Sequence, residues 1–266
     1  MKEYFFLGGL PRSGSTLLCN IFAQNPEFHV SKCTSALHTI LSILKNNWTT
    51  IIEHKAEGVD FKRLAACQRA ILESYYQTDK QVVIDKSRNW MGDIEMLEFI
   101  LDKKVKIIAP VRELREVLAS FEVLWRKMNA KSQWPFRPED MVKAKTTEGR
   151  CDIWASANEP VGYCFNQLKD AITKGQSDRI LFVEMEALTA NPQYTMEKIY
   201  EFMGKNYFPH DFNNVEQYTK EDDLLAYNIE GLHDIRPKVE PVLPKAREVL
   251  GEKLYNSLAN QEIWRY

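Results

Sequence analysis

The most constraining feature of this 266-residue chain is a phosphate-binding type of loop that directly follows its first apolar run. Residues 4–7 are aromatic or aliphatic and end at Gly8-Gly9, which predicts a short buried strand. The segment Gly9-Leu10-Pro11-Arg12-Ser13-Gly14-Ser15-Thr16 comes next, and residues 16–22 have apolar side chains at helical spacing. A strand, a tight loop and a helix in this order present unpaired backbone N–H groups and a helix dipole, which together bind phosphate.

The loop has the spacing of the nucleoside-triphosphate motif GxxxxGK[ST], but Ser15 stands where that motif has lysine. The lysine normally reaches the β- and γ-phosphates of a triphosphate. Arg12 supplies a cation at another position, and its planar guanidinium suits a two-pronged contact with an oxyanion. We therefore expect a phosphorylated nucleotide here rather than ordinary ATP hydrolysis. The expected contacts are Pro11, Arg12, Ser13, Gly14, Ser15, Thr16 and Leu17.

A second anion-binding pair is predicted later in the chain. Residues 105–109 form an apolar run that predicts a strand, and residues 113–127 have a helical apolar stripe. Arg112 falls where the strand gives way to the helix, the edge at which open α/β sheets bind ligands. Ser120 lies two turns into the helix and can share a side with the first turn. Arg112 and Ser120 are thus candidates to hold a second phosphate.

The pattern along the whole chain predicts an α/β fold. Predicted strands at 4–7, 81–84, 105–109 and 179–183 alternate with predicted helices, which is typical of a central parallel sheet covered by helices on both faces. We find no repeat or linker, so residues 1–266 are interpreted as one domain. Residues 129–150 are polar and lack a period, which predicts an excursion or lid.

Composition excludes several classes of function. The formal net charge is −2, whereas non-specific nucleic-acid binders are usually basic. The five cysteines have no CxxC spacing, so zinc sites and disulfide scaffolds are disfavoured and buried free thiols are expected. No apolar run is long enough to span a membrane, and the expected location is cytoplasmic.

These motifs together resemble the sulfotransferase family, over nearly the whole chain and in order. The loop at residues 11–16, the spacing from Arg112 to Ser120, Asp85-Lys86 at a strand end and the late segment 231–238 carry the resemblance. It implies a P-loop NTPase-like sulfotransferase fold. It also implies 3′-phosphoadenosine 5′-phosphosulfate (PAPS) as donor, with the desulfated nucleotide PAP as product and no metal. In such enzymes the first loop binds the 5′-phosphosulfate, and the Arg/Ser pair binds the 3′-phosphate.

The resemblance also implies catalytic roles. Lys86 and Arg12 are expected to stabilise the leaving phosphate oxygen, and Arg236 and Lys238 to close on the donor. In the cytosolic sulfotransferases a histidine base follows the lysine, but no histidine follows Lys86 in this way. In the protein-tyrosine sulfotransferases the base is a glutamate; its position would fall near Lys32 or Cys33, and neither is a carboxylate. For the general base we expect His233, with His38 as second choice, because imidazole titrates near neutral pH.

Two alternatives to a sulfotransferase remain open from the sequence. A small-molecule kinase would need Asp85 as a magnesium ligand, and a non-catalytic module would bind nucleotide without transfer. The sequence does not name the acceptor; we expect a small molecule or a peptide with a hydroxyl or amine, bound by variable loops at residues 30–60 and 129–160. Four tryptophans could line its pocket, although core packing is favoured for each. These are Trp90, Trp125, Trp134 and Trp154.

Overall fold

The computed structural model describes residues 2–128, 134 and 136–265, and it is built around a five-stranded parallel sheet. The strands are β1 (Glu3–Leu7), β2 (Phe28–Val30), β3 (Val82–Lys86), β4 (Ile107–Val111) and β5 (Ile180–Glu184). Their order across the sheet is β2-β3-β1-β4-β5, and every neighbouring pair is parallel. The carboxyl ends of β1, β3 and β4 therefore meet at one edge.

Helices cover both faces of the sheet, as the sequence pattern predicted. They are α1 (Ser15–Phe22), α2 (Leu37–Trp48), α3 (Ile52–Glu57), α4 (Phe61–Tyr75), α5 (Ile94–Leu101), α6 (Leu114–Arg126), α7 (Thr147–Trp154), α8 (Pro160–Thr173), α9 (Met185–Ala190), α10 (Pro192–Met203), α11 (Asp223–Tyr227), α12 (Ala246–Leu250) and α13 (Glu252–Ser257).

Alternation along β1 divides the core into two layers. Tyr4 and Phe6 pack with side chains of α2, α5 and α8, whereas Phe5 and Leu7 pack with α1 and α10 on the other face. Successive strand side chains point to opposite faces, so a strand that is apolar at every position must be covered twice. A third cluster joins α6, α7 and α12, which attaches the C-terminal segment to the helix that carries Ser120.

Three details differ from the sequence predictions. The three-residue strand β2 was missed because so short a run shows no period. Pro110 was expected to end its strand, yet it lies inside β4. The Pro110 carbonyl accepts a hydrogen bond from the Leu10 N–H, beyond the last paired residues of β1 and β4. Proline lacks an N–H, but no hydrogen bond between β1 and β4 is lost, because the pairing has already ended there. Cys33 and Cys67 are exposed, whereas all five thiols were expected to be buried.

Two further sequence predictions concern a lid at residues 129–150 and the lack of a membrane-spanning segment. Of the predicted lid, residues 129–133 and 135 lie outside the described residues; the rest contains short 3₁₀ turns and the start of α7. Across the described parts of the chain, the helices are all too short or too polar to cross a membrane.

Candidate active site

The loop between β1 and α1 is held in a conformation that points its backbone toward an open cavity. Gly9 and Gly14 have φ of 89° and 86°, and Arg12 has φ of 58°. A Cβ on Gly9 would lie 2.2 Å from the Pro110 carbonyl oxygen, so only glycine fits there. Gly14 precedes α1 without a side-chain cap, which leaves the first N–H groups of that helix free for an anion.

A cavity of about 530 Å³ opens in front of this loop. Its wall contains Gly14 and the first turn of α1, Arg112 and Ser120 from β4–α6, and the segment 232–243. Thus three parts of the chain that were singled out separately in the sequence line one space. Met185 also lines it, and its sulfur approaches the position of a Gly14 Cβ to 2.4 Å.

Arg12 forms hydrogen bonds to two of the other segments that line this cavity. Its Nε donates to Ser120 Oγ at 3.2 Å, and another guanidinium nitrogen donates to the Leu232 carbonyl at 2.5 Å. Both partners are neutral. Burial lowers the pKa of Arg12, and the nearby charges of Arg88 and Arg112 lower it further. The charge of Asp223 opposes this shift. Within the described residues no carboxylate lies within ion-pair distance of the guanidinium, which is positioned by its two hydrogen bonds.

Arg112 is anchored differently, by two carboxylates. Its Nε donates to Glu186 at 2.9 Å, and it lies 3.5 Å from Glu116. Glu116 is buried and also accepts from the backbone N–H groups of Lys245 and Ala246. The guanidinium side chain is only 11% exposed, so its orientation is set by α6, α9 and the start of α12.

A second cavity, of about 390 Å³, adjoins the first. Aromatic and aliphatic side chains dominate its wall, among them Phe121, Trp134, Phe136, Ile153 and Tyr227. Four residues line both cavities and so form a shared wall: Arg12, Arg88, Leu232 and His233. The arrangement brings a polar, cationic cavity and an apolar cavity together at two arginines and a histidine.

Behind the shared wall lies a buried ionic network. The Lys86 ammonium at the end of β3 pairs with Glu221, and the other oxygen of Glu221 lies 3.3 Å from His233 Nδ1. Glu221 also accepts from the Thr34 N–H at 2.9 Å. Burial alone would raise the pKa of Glu221, but Lys86 and these hydrogen bonds hold the pKa below its ordinary value.

His233 is clamped by Asp223 at two points. Its Nδ1 lies 2.5 Å from one carboxylate oxygen, and its backbone N–H donates to the other at 2.8 Å. Because a carboxylate only accepts, Nδ1 carries the proton and Nε2 is left as the basic nitrogen. Burial lowers the pKa of His233 and outweighs the opposing charges of Asp223 and Glu221, so the ring is neutral near pH 7.

Comparison with known proteins decides the family. The family model described as the sulfotransferase domain matches residues 2–233, most of the chain. The chain belongs to the sulfotransferase family. It is accordingly an enzyme of sulfuryl transfer. A search of curated protein sequences returned no match.

Solved structures agree with the fold of this sulfotransferase. The sulfotransferase domain of the olefin synthase from Synechococcus PCC 7002 is 19% identical, with a TM-score of 0.51, and the match covers 100% of this chain and 95% of that domain. A sulfotransferase from Mycobacterium avium is 14% identical with a TM-score of 0.53, covering 100% of this chain and 77% of that one. At these identities the likeness establishes the α/β fold with its parallel sheet.

Most of the residues predicted for donor binding in the sulfotransferase line the 530 Å³ cavity. These are Arg12, Gly14, Ser15, Thr16, Leu17, Arg112, Ser120, Arg236 and Lys238, together with His233. Pro11 lines the apolar cavity instead, and Ser13 is buried with its hydroxyl on the Pro11 carbonyl. Lys86 lines neither cavity, because Glu221 holds its ammonium behind the wall.

Several residues predicted from the sequence do not line either cavity, among them His38, Asp85 and the core tryptophans. His38 pairs with Asp93 at 2.8 Å and packs edge-on against Trp90, and it lines neither cavity. Asp85 is fully buried and accepts from Tyr76 and the Trp90 indole, and burial raises its pKa. Trp90 and Trp154 are core residues, as favoured, whereas Trp134 does line the apolar cavity.

Sequence reasoning missed Arg88, Glu221 and Asp223. Arg88 carried a usable signal, since it follows a strand-end lysine by two positions at the ligand-binding edge. Glu221 lies in a loop and Asp223 begins the short helix α11, and no motif marks either of them. Only the fold brings Glu221 to the end of β3. Ligand atoms of Glu221, Asp223 and His233 lie within 4.8 Å of one another. The Lys86 ammonium already pairs with Glu221, and we assign no metal to the group.

Proposed function

We propose that this sulfotransferase moves the sulfuryl group of PAPS to a hydroxyl or amine of an acceptor held in the apolar cavity. The observation that carries the proposal is the shared wall, which joins a cavity lined by the phosphate-binding loop to an aromatic one. Such adjacency is what direct transfer between two bound substrates requires. The 390 Å³ of the second cavity suits a small aromatic acceptor or one side chain of a peptide.

In this proposal the donor lies along the larger cavity. The free N–H groups at the start of α1, with Ser15 and Thr16, hold the 5′-phosphate, and Arg112 and Ser120 hold the 3′-phosphate. Arg236 and Lys238 are exposed on the segment that borders the cavity, where they add positive charge. The cavity residues thus fit a nucleotide with phosphates at two separate positions.

Catalysis is then mainly charge stabilisation and proton removal. A bond forms from the acceptor oxygen or nitrogen to sulfur while the sulfur–oxygen bond to the 5′-phosphate breaks, and the electron pair stays on the phosphate oxygen. Arg12 stabilises that oxygen, and Lys86 does so when it exchanges Glu221 for the donor. His233 Nε2 takes the acceptor's proton, as Asp223 holds Nδ1. His38 is the less favoured base because it lies away from both cavities.

Calorimetry with PAP and product analysis with PAPS test this function. We expect PAP to bind and to raise the melting temperature, whereas Mg·ATP does neither, and we expect a sulfated product with an aromatic alcohol such as 2-naphthol. The kinase alternative lacks its magnesium ligand, because Asp85 is buried under Tyr76 and Trp90. If PAP does not bind, the proposal is wrong; if PAP binds and no acceptor in a broad panel is sulfated, the non-catalytic alternative takes its place.

A further inference from the structure

Arg88 lies in the shared wall, two residues beyond the end of β3. It is one of the four residues that line both cavities, and its side chain is half-buried. The 3₁₀ turn that begins at Arg88 packs against α8 and contains the fully buried Trp90. The backbone below the guanidinium is therefore held firmly, as expected of a group whose position matters.

The charge of Arg88 has no counterion within the described residues. No carboxylate there lies within ion-pair distance of its guanidinium, whereas Arg112 pairs with Glu186 and Arg137 pairs with Glu159 at 3.0 Å. Its neighbour Arg12 has only neutral partners, Ser120 Oγ and the Leu232 carbonyl. Two guanidiniums thus share one partly buried wall, and among the described residues no carboxylate forms an ion pair with either, although the charge of Asp223 acts on Arg12.

This arrangement of two cations is unfavourable by itself. Like charges in a region of low dielectric repel, and the pKa of Arg12 is lowered first by burial and then by Arg88. A ligand that carries negative charge at the wall relieves that repulsion. Because both arginines border both cavities, the charge must lie where donor and acceptor meet, rather than deep in either.

We propose that Arg88 is a catalytic residue that binds the sulfonate oxygens of the donor and keeps hold of them while the group moves to the acceptor. The inference rests on the proposed function. As the acceptor–sulfur bond forms and the sulfur–phosphate oxygen bond breaks, the electron pair stays on the phosphate and the proton goes to His233. A guanidinium only donates hydrogen bonds, so the part of Arg88 is electrostatic and not that of a base.

The test compares two ligands that differ only at the end that carries the sulfonate. One is PAP, and the other is a PAPS analogue with a methylene group in place of the bridging oxygen between phosphorus and sulfur. The variants are Arg88→Gln and Arg88→Lys, with Arg137→Gln as matched control, since Arg137 lines the apolar cavity alone and is paired. Calorimetry gives the affinity of each protein for each ligand, and thermal unfolding checks the fold.

Arg88→Gln should bind the analogue about tenfold or more weakly while its affinity for PAP changes less than about twofold. Arg88→Lys should lose less affinity for the analogue than Arg88→Gln does. Arg137→Gln should bind both ligands with the affinity of the wild type. If Arg88→Gln does not fold, a several-fold loss for the analogue in Arg88→Lys carries the same conclusion.

Two results would overturn the role of Arg88 while leaving the proposed function standing. In one, Arg88 variants bind the analogue and PAP as the wild type does. In the other, they lose affinity only for acceptors that carry a carboxylate or phosphate, which would place Arg88 in acceptor recognition. Failure of the wild type itself to bind PAP would instead remove the proposed function, and the two failures are thereby distinguishable.

Discussion

Lys86 and Glu221 form a buried ion pair that joins the end of β3 to a segment 135 positions later in the chain. Their side chains are 5% and 4% exposed, so each charge depends on the other for compensation. The second oxygen of Glu221 lies 3.3 Å from Nδ1 of His233, the residue that we propose as the base. A residue predicted only as a catalytic cation is thus also part of the structure that holds the late segment in place.

The first prediction concerns this pair. Lys86→Ala should lower the free energy of unfolding by about 3–5 kcal/mol, because it leaves a buried carboxylate without its partner. The double variant Lys86→Met/Glu221→Gln should recover much of the loss in urea unfolding. As a control, Lys198→Ala removes one partner of an exposed pair and should leave the midpoint unchanged. Equal stability of Lys86→Ala and wild type would contradict the assignment.

A second prediction separates backbone strain from steric clash in the first loop. Gly9→Ala places a methyl 2.2 Å from the Pro110 oxygen at a φ of 89°, whereas Gly175→Ala meets only the strain of a φ of 70°. We expect about 1–2 kcal/mol of destabilisation at Gly175 and about 1–3 kcal/mol more at Gly9. Denaturant unfolding measures both. Similar values for the two would mean that the loop can move away from β4.

The third prediction assigns the base by pH dependence. A histidine base must be neutral to accept a proton, so turnover is lost as pH falls through its pKa, which gives the acid limb of the pH–rate profile. Burial lowers the pKa of His233 from 6.5, so this acid limb should lie below pH 6.5. His233→Ala should reduce turnover with PAPS and 2-naphthol by about 10²–10⁴ and abolish that limb. His38→Ala should keep it. Asp223→Asn should lower turnover with PAP affinity unchanged. An acid limb that persists in His233→Ala and vanishes in His38→Ala would reverse the assignment.

A fourth prediction concerns the 3′-phosphate. Arg112→Gln should weaken PAP binding about tenfold or more and leave the affinity for AMP, which lacks that phosphate, almost unchanged. Ser120→Ala should have a smaller effect in the same direction, because its hydroxyl also receives the Arg12 hydrogen bond. Calorimetry with both nucleotides measures the difference. Equal losses for PAP and AMP would place Arg112 at the 5′ side instead.

The fifth prediction concerns the pH dependence of stability through His210. Burial lowers its pKa to about 4, from 6.5 for an ordinary histidine. In the unfolded chain His210 is protonated below about pH 6.5, whereas in the folded chain it is protonated only below about pH 4. The free energy of unfolding therefore decreases as pH falls from 6.5 to 4. After allowance for the ring's partial exposure, the loss is about 2 kcal/mol. Urea unfolding of wild type and His210→Gln across this range checks it; parallel pH profiles would show that His210 contributes nothing.

Sequence determined the local elements of this protein, because strand and helix periods and the turn at Gly9 and Gly14 are set by neighbouring residues. It therefore predicted the parallel α/β architecture and the segments that line the larger cavity, as Arg12, Arg112 and Ser120 illustrate. Parallel strands end at the same edge, so motifs that follow them meet without any long-range information.

Tertiary structure alone decided which charges border the cavities and which are neutralised. Lys86 and Arg88 are two positions apart, yet one is paired behind the wall and the other is exposed to both cavities. That difference depends on Glu221, which arrives from an irregular segment whose place is set by packing and buried ion pairs. Such contacts join residues far apart in the chain, so no local pattern records them.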